Sequence, residues 1–203
     1  MIYTTNIRLA IRFALKTHEV YQKQRRKGKD IPYIIHPLTV GILLSLAGAR
    51  EEVVIAGILH DTIEDSPMHK KVTKDMLGER FGQEVAELVE SVTETDRTLS
   101  WDERKDQALR HIATYSHDSL LLKSADVIAN VSELLDDVSR DGEDVFGRFS
   151  VSREKTLFHI QRIFKALLSQ WEENPFRKDL LALQKKITQL DTSIVSKHTV
   201  SDS

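Results

Sequence analysis

The stretch that decides the fold is VVIAGILHDTIED, residues 53–65. Its first seven residues are apolar or glycine, and a helix without a polar face belongs in the interior of a protein. The stretch then continues into His60, Asp61, Glu64 and Asp65. Because an unpaired buried charge is costly, these four groups need partners. The sequence therefore predicts a polar site at the end of a buried helix.

The spacing of these four polar residues predicts their arrangement. Asp61 and Asp65 are four residues apart, and so are His60 and Glu64. On one continuous helix each pair lies on a single face, one turn apart. We therefore expect two adjacent tiers of polar groups. One tier can hold a cation, and the next can hold the molecule on which that cation acts.

The composition predicts a single globular domain without strong surface charge. The chain has 203 residues, of which 40% are hydrophobic and 30% are charged, so it can form a packed core. A net charge of −2 predicts no bulk attraction to nucleic acid or to an anionic membrane. The lack of cysteine excludes disulfides, thiolate metal ligands and a cysteine nucleophile, and it suits a reducing cytosol.

The N-terminal residues do not resemble a signal peptide, because Arg8 and Arg12 lie inside the first apolar pattern. No apolar run approaches the ~18 residues that a membrane-spanning helix needs. We therefore expect a cytoplasmic protein.

The N-terminal segment predicts a helix followed by a basic loop. Apolar residues at helical spacing predict an amphipathic helix over roughly residues 4–23. The loop that follows, residues 24–30, has the sequence QRRKGKD. This loop is either a solvated helix end, whose cations interact favourably with the C-terminal end of the helix dipole, or the edge of an anion-binding site.

His36 is placed at the beginning of the next predicted helix. Pro37 fits the first turn of a helix, where its missing N–H does no harm, and this helix is expected to reach about residue 47. A histidine at this boundary can be an ordinary polar residue or a ligand.

A second polar group is predicted inside the helix that spans residues 120 to about 138. Asp126 and Asn130 are four residues apart and share a face, and Lys123 lies one turn the other way. A carboxylate among leucines and alanines must be satisfied. Lys123, or a helix end elsewhere, could satisfy Asp126 without any ligand.

The remaining pattern is helical as well. Further helices are predicted at residues 73–80, 85–92, 101–115, 157–167 and 180–190, with loops at 93–100 and 139–149. No alternating strand pattern exceeds a few residues. The sequence predicts an all-α fold, a single bundle of about eight to ten helices over residues 1–191, with a disordered tail at 192–203.

A second His-Asp pair tests how specific such a dipeptide is. Asp118 in His117-Asp118 is well placed as an N-cap, which is a structural role, so we predict no metal site there. His60-Asp61 differs from this pair in the polar residues that accompany it elsewhere in the sequence. It has His36 upstream, Asp126 downstream, and Glu64 and Asp65 one turn on.

The order His, His-Asp, Asp resembles the ligand set of the HD superfamily of metal-dependent phosphohydrolases. Two imidazoles and two carboxylates suit Mn²⁺, Fe²⁺ or Zn²⁺ better than Ca²⁺ or Mg²⁺. Four such ligands leave positions for water and a phosphate oxygen. A bound cation lowers the pKa of its water, and a nearby carboxylate can orient that water or take its proton.

Longer segments narrow the resemblance to the hydrolase domain of the RelA/SpoT alarmone enzymes. They are QRRK (24–27), PYIIHPL (32–38), LHDTIEDS (59–66) and KSAD (123–126) with Asn130, within a match over about residues 8–135. The resemblance implies an HD domain that removes the 3′-pyrophosphate of (p)ppGpp, giving GDP or GTP and pyrophosphate. The chain is too short for the family's synthetase and regulatory regions as well, so it resembles a stand-alone small alarmone hydrolase of the metazoan SpoT-like type.

The resemblance also implies roles for individual residues. The implied Mn²⁺ ligands are His36, His60, Asp61 and Asp126. Glu64 and Asp65 would serve the water and the pyrophosphate. The implied nucleotide contacts are Arg26, Lys27 and Asn130.

One segment departs from the family pattern. The family usually continues from its last ligand as Asp-Arg-Leu-His-Asn, whereas Val127 and Ala129 stand here in place of the Arg and the His. Metal binding and hydrolysis are still expected, but base specificity is left open. Two alternatives remain. One is an HD phosphohydrolase acting on ppApp, on the 2′-phosphate of NADPH or on a similar nucleotide. The other is a non-catalytic nucleotide sensor, against which the intact Glu64 and Asp65 argue.

Overall fold

Helices make up the fold around the buried stretch quoted above. The computed structural model describes residues 3–94 and 98–192, and within those ranges it contains no β-strand. This confirms the predicted all-α class. The helices are α1 (Thr5–Leu15), α2 (Ile35–Leu46), α3 (Glu51–Leu59), α4 (Thr62–Asp65), α5 (Lys74–Phe81), α6 (Gln83–Val92), α7 (Trp101–Ile112), α8 (His117–Asp141), α9 (Arg153–Gln170) and α10 (Arg177–Thr192).

Helix α3 lies at the centre of this arrangement. Every residue from Val53 to Leu59 is buried, as a helix without a polar face requires. It packs against α1, α2, α6 and α8, and α8 in turn packs against α2, α6 and α10. The glycines in α2 and α3 allow a close approach, because a Cβ at Gly41 would lie 2.6 Å from the side chain of Ile58. The C-terminal end of α3 therefore reaches the middle of the molecule.

The prediction that the stretch over residues 53–65 lies on one continuous helix is wrong. Helix α3 ends at Leu59, His60 and Asp61 form a turn, and α4 begins at Thr62. The buried Thr62 hydroxyl donates to the Leu59 carbonyl at 2.6 Å, so a side chain competes with the backbone ladder. The two tiers expected from an unbroken helix are replaced by a turn that directs His60 and Asp61 to the same side.

The N-terminal helix changes its winding before it ends. The α-helical part stops at Leu15, and Lys16–Val20 form a π-helical turn. The wider turn places Thr17 and His18 in the interior, where both are buried. Single π-turns inside helices are frequent at functional sites. The loop that follows contains the basic segment and an isolated bridge between Arg25 and Pro32.

Helix α8 is longer than its sequence pattern predicts. It begins at His117 rather than Leu120, because the side chain of Ser116 caps it by accepting from the backbone N–H of Ser119 at 3.1 Å. The prediction that Asp118 is the N-cap is therefore wrong, and its carboxylate instead pairs with Arg50 at 2.5 Å. The His117 ring stacks on Trp171, with ring centroids 4.4 Å apart.

Two predicted segments end differently from the pattern. Helix α8 continues to Asp141 and 3-10 turns cover Gly142–Arg148, so most of the loop predicted at 139–149 is helical. Thr192, the first residue of the predicted tail, is the last residue of α10, and residues 193–203 lie outside the described residues. Among the described helices, none has the length and apolar character that crossing a membrane requires.

Candidate functional site

Three polar side chains that lie far apart in the sequence come together at the end of α3. His36 in the first turn of α2, His60 after α3 and Asp126 in the middle of α8 are all buried. One ligand atom from each lies within 4.8 Å of the others. We call these residues together with Asp61 the His/Asp cluster.

The atoms of the His/Asp cluster are spaced as ligands of one small cation would be. Asp61 Oδ2 lies 3.0 Å from His60 Nε2 and 3.7 Å from His36 Nε2. Asp126 Oδ1 lies 3.2 Å from His36 Nε2 and 3.8 Å from His60 Nε2. Ligands about 2.1 Å from a shared cation are separated by about 3–3.5 Å from one another. The structure therefore brings one carboxylate oxygen of Asp61 and one of Asp126 to within 3.8 Å of both imidazoles, and His36, His60 and Asp126 form the mutually close group.

The hydrogen bonding of His60 fits a metal ligand. Its Nδ1 lies 2.8 Å from the Gly57 carbonyl oxygen, which can only accept, so Nδ1 carries the proton. Its Nε2 is buried and lies 3.0 Å from Asp61 Oδ2. The hydrogen bond through Nδ1 holds the ring so that Nε2 faces the carboxylates, as the ring of a metal-binding histidine is held.

The electrostatics of the cluster favour positive charge at its centre. Burial by itself lowers the pKa of His60, but the carboxylates of Asp61 and Asp126 outweigh it and raise that pKa to about 9. Burial by itself raises the pKa of Asp126, but Lys123 and the two imidazoles hold it well below its usual range. Buried carboxylates that stay ionised beside imidazoles are a set of donors that suits a divalent cation.

Neighbouring side chains orient the two carboxylates. Lys123 Nζ donates to Asp126 Oδ2 at 2.9 Å, and the other oxygen of Asp126 faces the imidazoles and accepts from Asn130 Nδ2 at 2.6 Å. Asp126 thus contacts Lys123 and lies in the cluster at the same time, so the two sequence interpretations are not exclusive. The Tyr33 hydroxyl donates to Asp61 Oδ2 at 2.6 Å. Sequence reasoning gave Tyr33 no role, although it stands three residues before His36.

Glu64 and Asp65 lie on α4, one turn beyond the cluster. Glu64 Oε2 accepts from the backbone N–H of Glu94 at 3.2 Å. Burial, and after it the charge of Asp61, raises the pKa of Glu64. Asp65 Oδ2 accepts from Gln24 Nε2 at 2.8 Å. Both carboxylates are therefore beside the cluster and held by specific donors, as a water-activating pair would be.

The predicted substrate residues line a cavity of about 610 Å³, and Asp126, Tyr33 and Lys123 line it too. Arg26 Nη2 donates to Asn130 Oδ1 at 2.8 Å and pairs with Glu133 at 2.7 Å. The Lys27 ammonium lies 5.1 Å from the ring centre of Phe149. Arg26, Lys27 and Asn130 are thus on one wall of the cavity. This volume suits a nucleotide-sized ligand.

Another part of the cavity lining was missed by sequence reasoning. It is built from side chains of α7, of α9 and of the segment that precedes α9, including Trp101, Lys105, Arg148, Thr156 and His159. Two of these are cationic, and each pairs with a carboxylate, Lys105 with Glu94 and Arg148 with Asp137. No local motif marks these residues, because they belong to ordinary amphipathic helices until the fold brings them to the cavity.

One of the two positions at which the chain departs from the family pattern lines the cavity. Val127 lines it and is 5% exposed, whereas Ala129 is absent from the residues that line it. An apolar side chain therefore occupies the wall where the resemblance expects a guanidinium.

The sequence of this chain is similar to one family model and to hydrolases from other organisms. The family model described as "HD domain" matches residues 10–154. A guanosine-3′,5′-bis(diphosphate) 3′-pyrophosphohydrolase of Aquifex aeolicus is 37% identical over 134 residues, which are 65% of this chain and 18% of that protein. The pyrophosphohydrolase MESH1 of Xenopus tropicalis is 36% identical over 127 residues, covering 62% of this chain and 67% of the relative.

Solved structures share the fold. A metazoan orthologue of SpoT, described as hydrolysing ppGpp and acting in starvation responses, superposes with a TM-score of 0.74 at 23% identity, covering 94% of this chain and 98% of that one. The Listeria monocytogenes EGD-e protein lmo0812 gives a TM-score of 0.66 at 35% identity, covering 75% and 97% of the two chains.

Proposed function

Because the chain belongs to the HD-domain family, we propose that it is a metal-dependent phosphohydrolase that removes the 3′-pyrophosphate of (p)ppGpp. The products are GDP or GTP and pyrophosphate. The observation that carries the proposal is the His/Asp cluster itself, which lies beside Glu64 and Asp65 and shares Asp126 with a cation-lined cavity. The relatives named for this reaction support the choice of substrate class.

The four residues of the His/Asp cluster hold the metal in this proposal. Two imidazoles and two carboxylates suit Mn²⁺, with Fe²⁺ or Zn²⁺ as alternatives. When bound, a divalent cation supplies an activated water and neutralises charge at the phosphoryl centre. The side chains and backbone around the cluster orient three of its four ligands. Gly57 fixes the His60 ring, Tyr33 holds Asp61, and Lys123 holds Asp126.

Glu64 and Asp65 do the proton chemistry in this proposal. A raised pKa makes the Glu64 carboxylate a better proton acceptor near neutral pH, which suits a general base. Asp65 is held through Gln24 and lies one turn after Asp61, from where it orients the water or the pyrophosphate. The nearby pair of carboxylates is also what separates this site from a binding-only sensor.

The cavity holds the nucleotide in this proposal. Arg26 and Lys27 contact the phosphates, and Asn130 contacts the sugar or the base. Arg26 also lies 5.3 Å from the ring centre of Tyr33, so its guanidinium has a fixed plane to present. The nucleotide is the only partner proposed.

A second candidate substrate is favoured by one observation. Val127 and Ala129 replace a guanidinium and an imidazole of the family pattern, and Val127 lines the cavity. An apolar wall removes hydrogen bonds that could select one base, so ppApp or the 2′-phosphate of NADPH can compete with ppGpp.

The test is a hydrolysis assay with ppGpp, ppApp and NADPH at saturating Mn²⁺, with products separated by ion exchange. The proposal expects ppGpp to be hydrolysed with release of pyrophosphate, and Glu64→Gln to be inactive on all three. A higher kcat/KM for ppApp or NADPH would establish the second candidate. If the metal-loaded protein binds a nucleotide but hydrolyses none, the enzymatic proposal is overturned in favour of a sensor.

A further inference from the structure

His18 lies outside the His/Asp cluster but is connected to one of the neighbouring carboxylates. Its side chain is 0% exposed, on the π-helical turn that ends the first helix. His18 Nδ1 lies 2.7 Å from Gln24 Oε1. An amide oxygen can only accept, so Nδ1 carries the proton. Burial lowers the pKa of His18 below its ordinary value.

The amide of Gln24 is oriented by the donors that meet it. Its oxygen accepts from His18 and also from Gln22 Nε2 at 3.2 Å. Its nitrogen is therefore directed at Asp65 Oδ2, to which it donates at 2.8 Å. Gln22 Nε2 also donates to the Asp65 carbonyl oxygen at 2.8 Å. Side chains from the turn and the loop thus hold both the backbone and the carboxylate of Asp65.

The second nitrogen of His18 shows that packing alone does not account for this residue. His18 Nε2 is buried and has no hydrogen-bond partner. An unsatisfied buried polar atom costs about 1–3 kcal/mol, a cost that an apolar side chain of similar size would avoid. The group that His18 contributes and an apolar residue lacks is the Nδ1–H donor.

We propose that His18 is a positioning residue that, through Gln24, holds the Asp65 carboxylate in its working orientation. The proposal rests on the proposed function in one respect, namely that Asp65 takes part in turnover. The proton donor at Nδ1 makes the shorter of the two contacts that hold the oxygen of Gln24 away from Asp65 and so direct its nitrogen toward the carboxylate. Without that donor only Gln22 Nε2 holds the oxygen, and an amide rotated by half a turn would present its oxygen to the carboxylate, which repels it.

The activity test compares a variant that lacks the donor with one that keeps it. His18→Leu is expected to lower kcat about 10–100-fold while KM stays within about threefold, because a misplaced group of this kind costs up to about 10²-fold. His18→Asn places an amide N–H near the Nδ1 position and is expected to recover kcat to within about fivefold of the wild type.

Thr17→Val is the matched control for stability. Thr17 is the neighbouring buried residue on the same π-helical turn, and its hydroxyl donates to Phe13 O at 3.1 Å. This variant loses a buried hydrogen bond but leaves the connection to Asp65 intact. We expect a lower melting temperature and an unchanged kcat. A loss of kcat like that of His18→Leu would mean that any damage to the turn reduces activity, which overturns the positioning role.

A double-mutant cycle with Asp65→Ala tests whether His18 acts through Asp65. In that background His18→Leu is expected to change kcat by less than about twofold, because the group that it positions has been removed. Independent effects that multiply in the double variant would overturn the proposal.

A spectroscopic measurement decides the geometry without turnover. In ¹⁵N-edited NMR of the wild-type protein, His18 is expected as the neutral tautomer protonated at Nδ1. Asp65→Ala is expected to shift the side-chain amide signals of Gln24. A His18 protonated at Nε2 overturns the proposal even in an active enzyme. If the wild type hydrolyses no nucleotide, the proposed function fails, and the tautomer together with the Gln24 shift still decides the connection.

Discussion

At the scale of single residues, hydrogen bonds from neighbouring groups determine how each polar side chain of the site is oriented. Lys123 donates to one oxygen of Asp126, and Asn130 donates to the other, which also faces the imidazoles. The Gly57 carbonyl accepts a hydrogen bond from His60 Nδ1 and leaves Nε2 facing the carboxylates of Asp61 and Asp126. These are short-range interactions, so single substitutions are expected to have effects specific to one step.

Replacing Glu64 should separate metal binding from turnover. Glu64→Gln keeps the size of the side chain and removes the proton acceptor, so kcat is expected to fall at least about 10²-fold. The His/Asp cluster does not include Glu64, so the metal content measured on the purified variant should equal that of the wild type. A parallel loss of metal would show that Glu64 is a ligand and would contradict the role proposed for it.

His159 should make the stability of the protein depend on pH. Burial, followed by the charges of Lys105 and Lys123, lowers the pKa of His159 to about 4. As the pH falls below the unfolded value of about 6.5, the unfolded chain takes up a proton that the folded chain does not, so stability falls between about pH 6.5 and pH 4. The size of this effect is at most about 3 kcal/mol.

The measurement for His159 is urea unfolding of the metal-free protein at pH 7.5 and at pH 5. His159→Leu cannot take up that proton, so it should lose less stability than the wild type between the two values. An equal loss in both proteins would show that other groups cause the acid sensitivity.

At the scale of the elements, the loop after the first helix is fastened to α8 by ion pairs. Arg26 pairs with Glu133 at 2.7 Å, and Lys29 pairs with Glu133 and, at 2.6 Å, with Asp137. Arg148, which follows α8, pairs with the same Asp137 at 3.0 Å. The loop is therefore held over the cavity by carboxylates, and an anionic nucleotide must compete with Glu133 for Arg26.

Glu133→Gln should strengthen nucleotide binding at some cost in stability. The amide is a weaker competitor for Arg26, so KM for the nucleotide is expected to fall about three- to tenfold, equivalent to about 1 kcal/mol, with kcat nearly unchanged. The melting temperature should fall, because Arg26 and Lys29 lose a charged partner. Steady-state kinetics and thermal melting measure the two effects.

Glu143→Gln is the control for this substitution. Glu143 also pairs with an arginine, Arg153, at 2.7 Å, but it is exposed and does not line the cavity. It should leave KM unchanged. If Glu133→Gln raised KM instead, Glu133 would be holding Arg26 in place for the substrate rather than competing with it.

At the scale of the whole molecule, the metal site joins helices that are distant in sequence. One ligand comes from α2, two from the turn after α3, and one from α8. These helices pack against one another around the buried α3, and the site exists only when they do so. A cation that binds the folded protein and not the unfolded chain must therefore stabilise the fold.

Mn²⁺ should raise the melting temperature through all four ligands at once. At one hundred times Kd, binding adds about 2.7 kcal/mol, and each kcal/mol raises Tm by about 2–4 °C for a chain of this size. Asp126→Asn should abolish the shift measured by thermal melting with and without Mn²⁺. Asp118→Asn, on the same helix, should keep it. A wild-type Tm that does not respond to the metal would contradict the assignment of the ligands.

The sequence determined the helical class, the burial of α3 and the donor types of the site. These follow from the spacing of apolar residues along each element and from the chemistry of His and Asp, which are local properties. The tertiary structure confirmed the all-α class, and the family match confirmed the HD domain. The roles assigned to the site residues stay predictions.

Only the tertiary structure decided how the elements meet. The break after Leu59, the connection from His18 to Asp65, the wall that contains His159 and the pairing of Arg26 with Glu133 are not visible in any local pattern. The physical reason is that side-chain hydrogen bonds and ion pairs across long sequence separations depend on packing between helices. Periodicity along one helix reports which face is buried, and it does not report what that face contacts.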